Sequence, residues 1–185
     1  MDAAMELAAA PRRGQIVSTA EDVLAVDTEL IHFDVTIHTW ERVLFAVDNI
    51  RQHTDLPIDL HMISEGPILR WDLVRRCGID IVTRTWNSSL NAAWFDALWE
   101  VGLLRGVAIA ANWDLRCLEE VWTCLDIITI KAPDGNLEPG LKRLIRRRGS
   151  DHRPLIAIAD GVPPGTIPGG IDILLVGQEA FISKW

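Results

Sequence analysis

The feature that most constrains this chain is a regular alternation of short apolar runs with stretches that repeat at helical spacing. Strand-like runs are read at Met5–Ala9, Leu30–Thr36, Pro57–Ile63, Asp80–Thr85, Gly106–Ala110, Ile127–Lys131, Leu155–Ala159 and Ile171–Val176. Between them the pattern predicts helices at Gln15–Val26, Trp40–Arg51, Ile68–Arg76, Leu115–Cys124 and Leu137–Arg147, and one that follows the caps Asn87-Ser88-Ser89 and runs to Val101. Val43, Leu44, Val47 and Ile50 show the helical stripe, and Gly78 and Gly102 sit where helices close. The Pro/Gly-rich segment 161–170 interrupts the last repeat, and 177–185 leaves room only for a stub of helix.

Repeated strand–helix units imply a parallel sheet. Eight of them predict one compact (β/α)8 TIM barrel over residues 1–185, a single domain with a truncated final helix. An open doubly wound sheet is the competing arrangement, and the lack of a GxGxxG run after the first strand weighs against it.

Two strands carry unexpected chemistry. His32 and Asp34 lie two apart, as do Asp59 and His61, so within each pair both side chains project to one face. In a sheet covered on both sides that face is buried, and buried imidazoles and carboxylates are costly unless paired or bound to a metal. In a barrel, functional groups sit at the C-terminal ends of strands. His32, Asp34, His61 and Asp160 fall there on three separate strands, a donor set suited to a divalent ion such as Zn, Mn or Fe(II). Asp59 is expected to sit below His61 and orient it.

Composition excludes other classes. A formal net charge of −8 argues against nucleic-acid binding, which rests on neutralising phosphates. The run from Lys142 to Arg148 is read as the basic end of a helix. Three cysteines without CxxC spacing fit a reducing, cytoplasmic setting. No run approaches the roughly 18 apolar residues of a membrane span, so no membrane partner is expected.

The chain also resembles the ribulose-phosphate 3-epimerase family, from roughly Met5 to Ser183. His32-Phe33-Asp34-Val35 is similar to the family's His-Val-Asp-Val, and Leu56 to Met62 to its Leu-Pro-Leu-Asp-Val-His-Leu. Gly106 to Ile109, Ile156 to Gly161 and Ile171 to Phe181 resemble its fifth, seventh and eighth strands. The resemblance implies a divalent metal held by His32, Asp34, His61 and Asp160. It also implies that Asp34 and Asp160 act as acid and base on opposite faces of a carbohydrate-like substrate, inverting a carbon next to a ketone through an enediolate. The family's phosphate-binding loops are altered here: 132–136 replaces its Gly-rich loop, Gly161-Val162 its Gly-Gly, and Gly177-Gln178 its Gly-Ser. A polyol or keto substrate other than ribulose 5-phosphate is therefore expected, bound by His38, Arg84, Lys131, Gly161, Gly177 and Gln178, in a homo-oligomer. Two alternatives stand beside this reading. One is an aldolase using a Schiff base on Lys131, and the other is a barrel repurposed as a binding or scaffold protein.

Overall fold

In the computed structural model, the residues described are 11–17, 27–36, 38–63, 70–131, 138–149, 153–159 and 169–177. Eight parallel strands close into a barrel in chain order: β1 (Arg12–Val17), β2 (Leu30–Val35), β3 (Ile58–Met62), β4 (Ile81–Thr85), β5 (Leu104–Ala110), β6 (Ile127–Lys131), β7 (Leu155–Ala159) and β8 (Ile173–Gly177). Helices α1 (Trp40–Arg51), α2 (Trp71–Arg76), α3 (Ala92–Glu100) and α4 (Glu138–Arg148) lie between strands. This is the TIM-barrel architecture that the strand–helix repeat predicts.

Three details differ from expectation. The first strand is Arg12–Val17, so Gln15 to Val17 are strand rather than the start of a helix, whereas 5–9 and 18–26 lie outside the described residues. Pairing with β2 on one side and β8 on the other outweighs the weak helical stripe that begins at Ile16. The segment read as a helix at Leu115–Cys124 forms two short 3-10 turns, Leu115–Leu118 and Trp122–Cys124. Its buried Leu115, Leu118 and Val121 recur every third residue, the period of a 3-10 helix rather than an α-helix. Finally, α3 is capped by Asn91, whose Oδ1 accepts from Trp94 N–H at 3.2 Å, whereas Asn87 closes a turn by accepting from Ser89 N–H. The two closing glycines behave as predicted: Gly78 and Gly102 have φ of 97° and 77°, backbone that other residues rarely adopt.

Parity and register stack the inward-facing side chains in layers of four drawn from alternate strands. The lowest complete layer is Leu30, Ile81, Ile127 and Ile173, all buried. Above it come Gly14, Asp59, Gly106 and Ala157, then His32, Thr83, Thr129 and Leu175. Gly106 is required here, because a Cβ would overlap the Thr83 side chain. Next are Ile16, His61, Ala108 and Ala159, and the mouth layer is Asp34, Thr85, Lys131 and Gly177. The outward residues build two further apolar clusters under the helices, one around Phe33, Val47 and Leu98 and the other around Phe95, Leu118 and Leu144. The lumen thus changes from aliphatic at the base to polar at the mouth.

Candidate metal centre at the barrel mouth

The His-x-Asp run on β2 and the Asp-x-His run on β3 lie in register, His32 opposite Asp59 and Asp34 opposite His61. Because the two motifs run in opposite order on parallel strands, the pairing sets each imidazole against a carboxylate. His32 Nδ1 is 2.7 Å from Asp59 Oδ2, and His61 Nδ1 is 2.6 Å from Asp34 Oδ1. Asp59 therefore orients His32, not His61. The register decides it, since Asp59 is the direct cross-strand neighbour of His32. The two rings stand 5.3 Å apart, tilted by 39°.

Asp34 Oδ1 is the centre of the cluster. Besides His61 it has His32 Nε2 at 3.4 Å and Lys131 Nζ at 3.6 Å, both charge contacts too long or too poorly aligned for hydrogen bonds. His61 Nε2 lies 3.0 Å from Thr85 Oγ1. Thr85 is a partner that motif reading passes over, although it shares the mouth layer with Asp34.

The electrostatics follow from these contacts. Burial alone would push the His32 imidazole down, but the Asp59 and Asp34 carboxylates outweigh it and raise its pKa to about 9. Burial lowers His61, with the His32 and Lys131 charges adding to the effect against the bond from Asp34. Burial would raise Asp34, but His32 and His61 together hold it well below the usual carboxylate range. One cationic imidazole thus sits between two carboxylates, where a metal cation would satisfy the same charges.

The residues fit a divalent metal. His32, Asp34 and His61 each offer a ligand atom, and these atoms lie within 4.8 Å of one another. His32 Nε2 is buried without a hydrogen-bond partner among the described residues, while Nδ1 is fixed by a carboxylate, the arrangement of a metal-ligating histidine. The mixed nitrogen and oxygen set suits Zn, Mn or Fe(II). Asp160 follows β7 in sequence and lies outside the described residues, as do Gly161 and Gln178. Gly177 ends β8 in the mouth layer beside Ile16. His38 is exposed in the turn before α1. Arg84 alternates with inward Thr83 and Thr85 and places its guanidinium 5.7 Å from the Trp94 ring, on the helix side of the sheet. The structure therefore brings together His32, Asp34, His61 and Lys131, and turns Arg84 away from them.

Among the described residues no helix is long and apolar enough to cross a membrane. No family model and no curated protein sequence matches the chain. Among solved structures it is similar to the tryptophan synthase α-subunit of the hyperthermophile Pyrococcus furiosus. One single-substitution variant superposes with a TM-score of 0.72 at 14% identity, over 92% of this chain and 88% of that one. A second gives 0.71 at 15% identity, over 92% and 89%. A chain of the tryptophan synthase complex of the same organism gives 0.71 at 14% identity, over 92% and 88%. At this identity the likeness shows a shared TIM-barrel fold, and the site chemistry has to be argued from this chain's own residues.

Proposed function

We propose that this barrel is a metal-dependent epimerase or isomerase that inverts a carbon next to a ketone in a carbohydrate-like substrate. The observation that most supports this reading is the buried Nε2 of His32, which has no hydrogen-bond partner among the described residues, is aligned by Asp59 and is grouped with Asp34 and His61. His32, Asp34, His61 and Asp160 would hold the ion, which when bound supplies Lewis acidity toward the ketone oxygen. Asp59 and Thr85 fix the two imidazole rings in place. Asp34 divides its work between its two oxygens. Oδ1 takes the shortest contacts to His32, His61 and Lys131, and no described residue hydrogen-bonds to Oδ2. Oδ2 is then the atom that accepts the substrate proton. Inversion needs a second acid/base group on the opposite face, the role assigned to Asp160.

The test is solvent deuterium incorporation, with the metal-loaded protein screened against keto sugars with and without phosphate. Incorporation is expected next to the ketone, and it disappears in Asp34→Asn and Asp160→Asn. A metal-loaded protein that exchanges no proton in any of these compounds sinks the reading. Metal content of the purified protein separates this reading from a scaffold role, because a scaffold has no need of a stoichiometric ion.

A further inference from the structure

We propose that Lys131 selects the substrate by binding a carboxylate attached directly to the ketone carbon, so that the site takes hydroxylated 2-oxo acids. The proposal rests on the epimerase reading and narrows its substrate class. β6 lies across the barrel from β2, and Lys131 shares the mouth layer with Asp34. Its side chain spans the opening to bring Nζ within 3.6 Å of Asp34 Oδ1. At that distance it is an ion pair and not a hydrogen bond, and no described residue accepts a hydrogen bond from the ammonium. With only 27% of the side chain exposed, the described residues leave a cation with three donors short of acceptors.

Asp34 does not need this lysine, since the same oxygen already has two imidazoles beside it. An ion ligated by Asp34 would compete with the ammonium for that carboxylate, leaving Lys131 without a charge partner of its own among the described residues. A neutral keto sugar would leave that ammonium without a counter-charge, whereas an anionic ligand would supply one. Position then decides which anion. Lys131 contacts the carboxylate assigned to take the proton, so the charge it binds must lie within one or two bonds of the reacting carbon. A carboxylate on the ketone carbon meets that limit, and a phosphate at the far end of a sugar chain does not. The rest of the substrate leaves past Gly177, where a Cβ would meet no atom of a described residue within 4 Å.

Three small hydroxyketones test this with the Mn2+-loaded protein: hydroxypyruvate, dihydroxyacetone and dihydroxyacetone phosphate. They share a hydroxymethyl carbon beside a ketone and differ in what flanks its other side. In each, the C–H proton passes to Asp34 while the electron pair moves onto the ketone oxygen, and a deuteron from solvent returns to the carbon. Hydroxypyruvate is expected to exchange at least ~10-fold more efficiently than dihydroxyacetone, the scale of one charge-assisted hydrogen bond. Lys131→Met collapses that preference through KM, and Lys131→Arg keeps it. By calorimetry, Lys131→Met weakens hydroxypyruvate binding about 10-fold while binding Mn2+ at least as tightly. The proposal is overturned if the preference and the binding survive Lys131→Met, if dihydroxyacetone phosphate is the best substrate, or if borohydride traps hydroxypyruvate on Lys131. If none of the three exchanges but hydroxypyruvate binding still depends on Lys131, the anion site stands and the epimerase reading falls.

Discussion

The two ends of the barrel use their acidic residues in opposite ways. At the base, Glu29, Asp80, Asp126 and Asp172 precede the even-numbered strands at equivalent positions. Each side chain accepts a backbone N–H from the odd strand before it, at Arg13, Ile58, Arg105 and Ile156. Each acid also returns its own N–H to the carbonyl of that same residue. Arg51 and Arg75 pair with Asp80, Arg105 with Asp126 and Arg148 with Asp172. The clamp is one device repeated around the ring, and each of its carboxylates is held by a backbone N–H. In the lumen toward the mouth, His32 Nε2, Asp59 Oδ1, Thr83 Oγ1 and Thr129 Oγ1 are buried and lack partners among the described residues. Polar groups saturated by protein can only hold the structure together, whereas unsaturated ones are where a ligand finds its contacts.

Breaking a base clamp should give the largest effect and leave the mouth untouched. Asp126 is 7% exposed and takes three contacts from Arg105, through its backbone N–H, Nε and Nη2. Asp126→Ala leaves the guanidinium without its carboxylate and should cost about 3–5 kcal/mol in urea unfolding. Mn2+ affinity per folded molecule should not change. A stability loss under about 1 kcal/mol would erase the distinction between the two ends.

Asp59→Asn sharpens the comparison from the other side. It keeps the shape of the residue but removes the charge that aligns His32, and losses of about 10–100-fold in metal affinity are typical for such partners. The same change should alter the pH dependence of the metal-free protein. His32 titrates near 9 when folded against an ordinary value of about 6.5, so its contribution to stability is complete below pH 6.5 and is lost as pH rises through 9. Removing the Asp59 charge should flatten that alkaline loss. An unchanged slope in thermal unfolding between pH 6 and 10 would show that Asp59 is not what holds the proton on His32.

Much of this was legible from residue spacing alone. Period-two alternation placed His32 with Asp34 and Asp59 with His61, and the strand–helix rhythm placed both pairs at one end of a barrel. Register was not legible, because spacing along one strand says nothing about what faces it on the next. The partner of Asp59 was therefore misassigned. Lys131 was recognised as a strand-end residue, but its approach to Asp34 depends on the stagger of a closed eight-stranded sheet, which brings β2 and β6 level across the lumen. Arg84 shows the converse. It is expected at the substrate, yet its parity opposes that of Thr83 and Thr85, and alternation alone is enough to turn it to the helix side.

The smallest expected effect is the most discriminating about geometry. Thr85 joins the mouth layer from β4, and its Oγ1 lies 3.0 Å from His61 Nε2. Thr85→Val is nearly isosteric, so packing should survive, and the lost hydrogen bond is worth about 0.5–1.5 kcal/mol. Two places could register that loss. If Thr85 only fills space, it appears in global stability alone. If Thr85 fixes the His61 ring for an ion, Mn2+ affinity should fall by about 2–10-fold, the same energy expressed as binding, because the ring must be ordered when the ion arrives. Calorimetric titration of Mn2+ beside urea unfolding separates the two. A stability change without an affinity change would place Thr85 with the base clamps in kind, although it lies at the opposite end of the barrel.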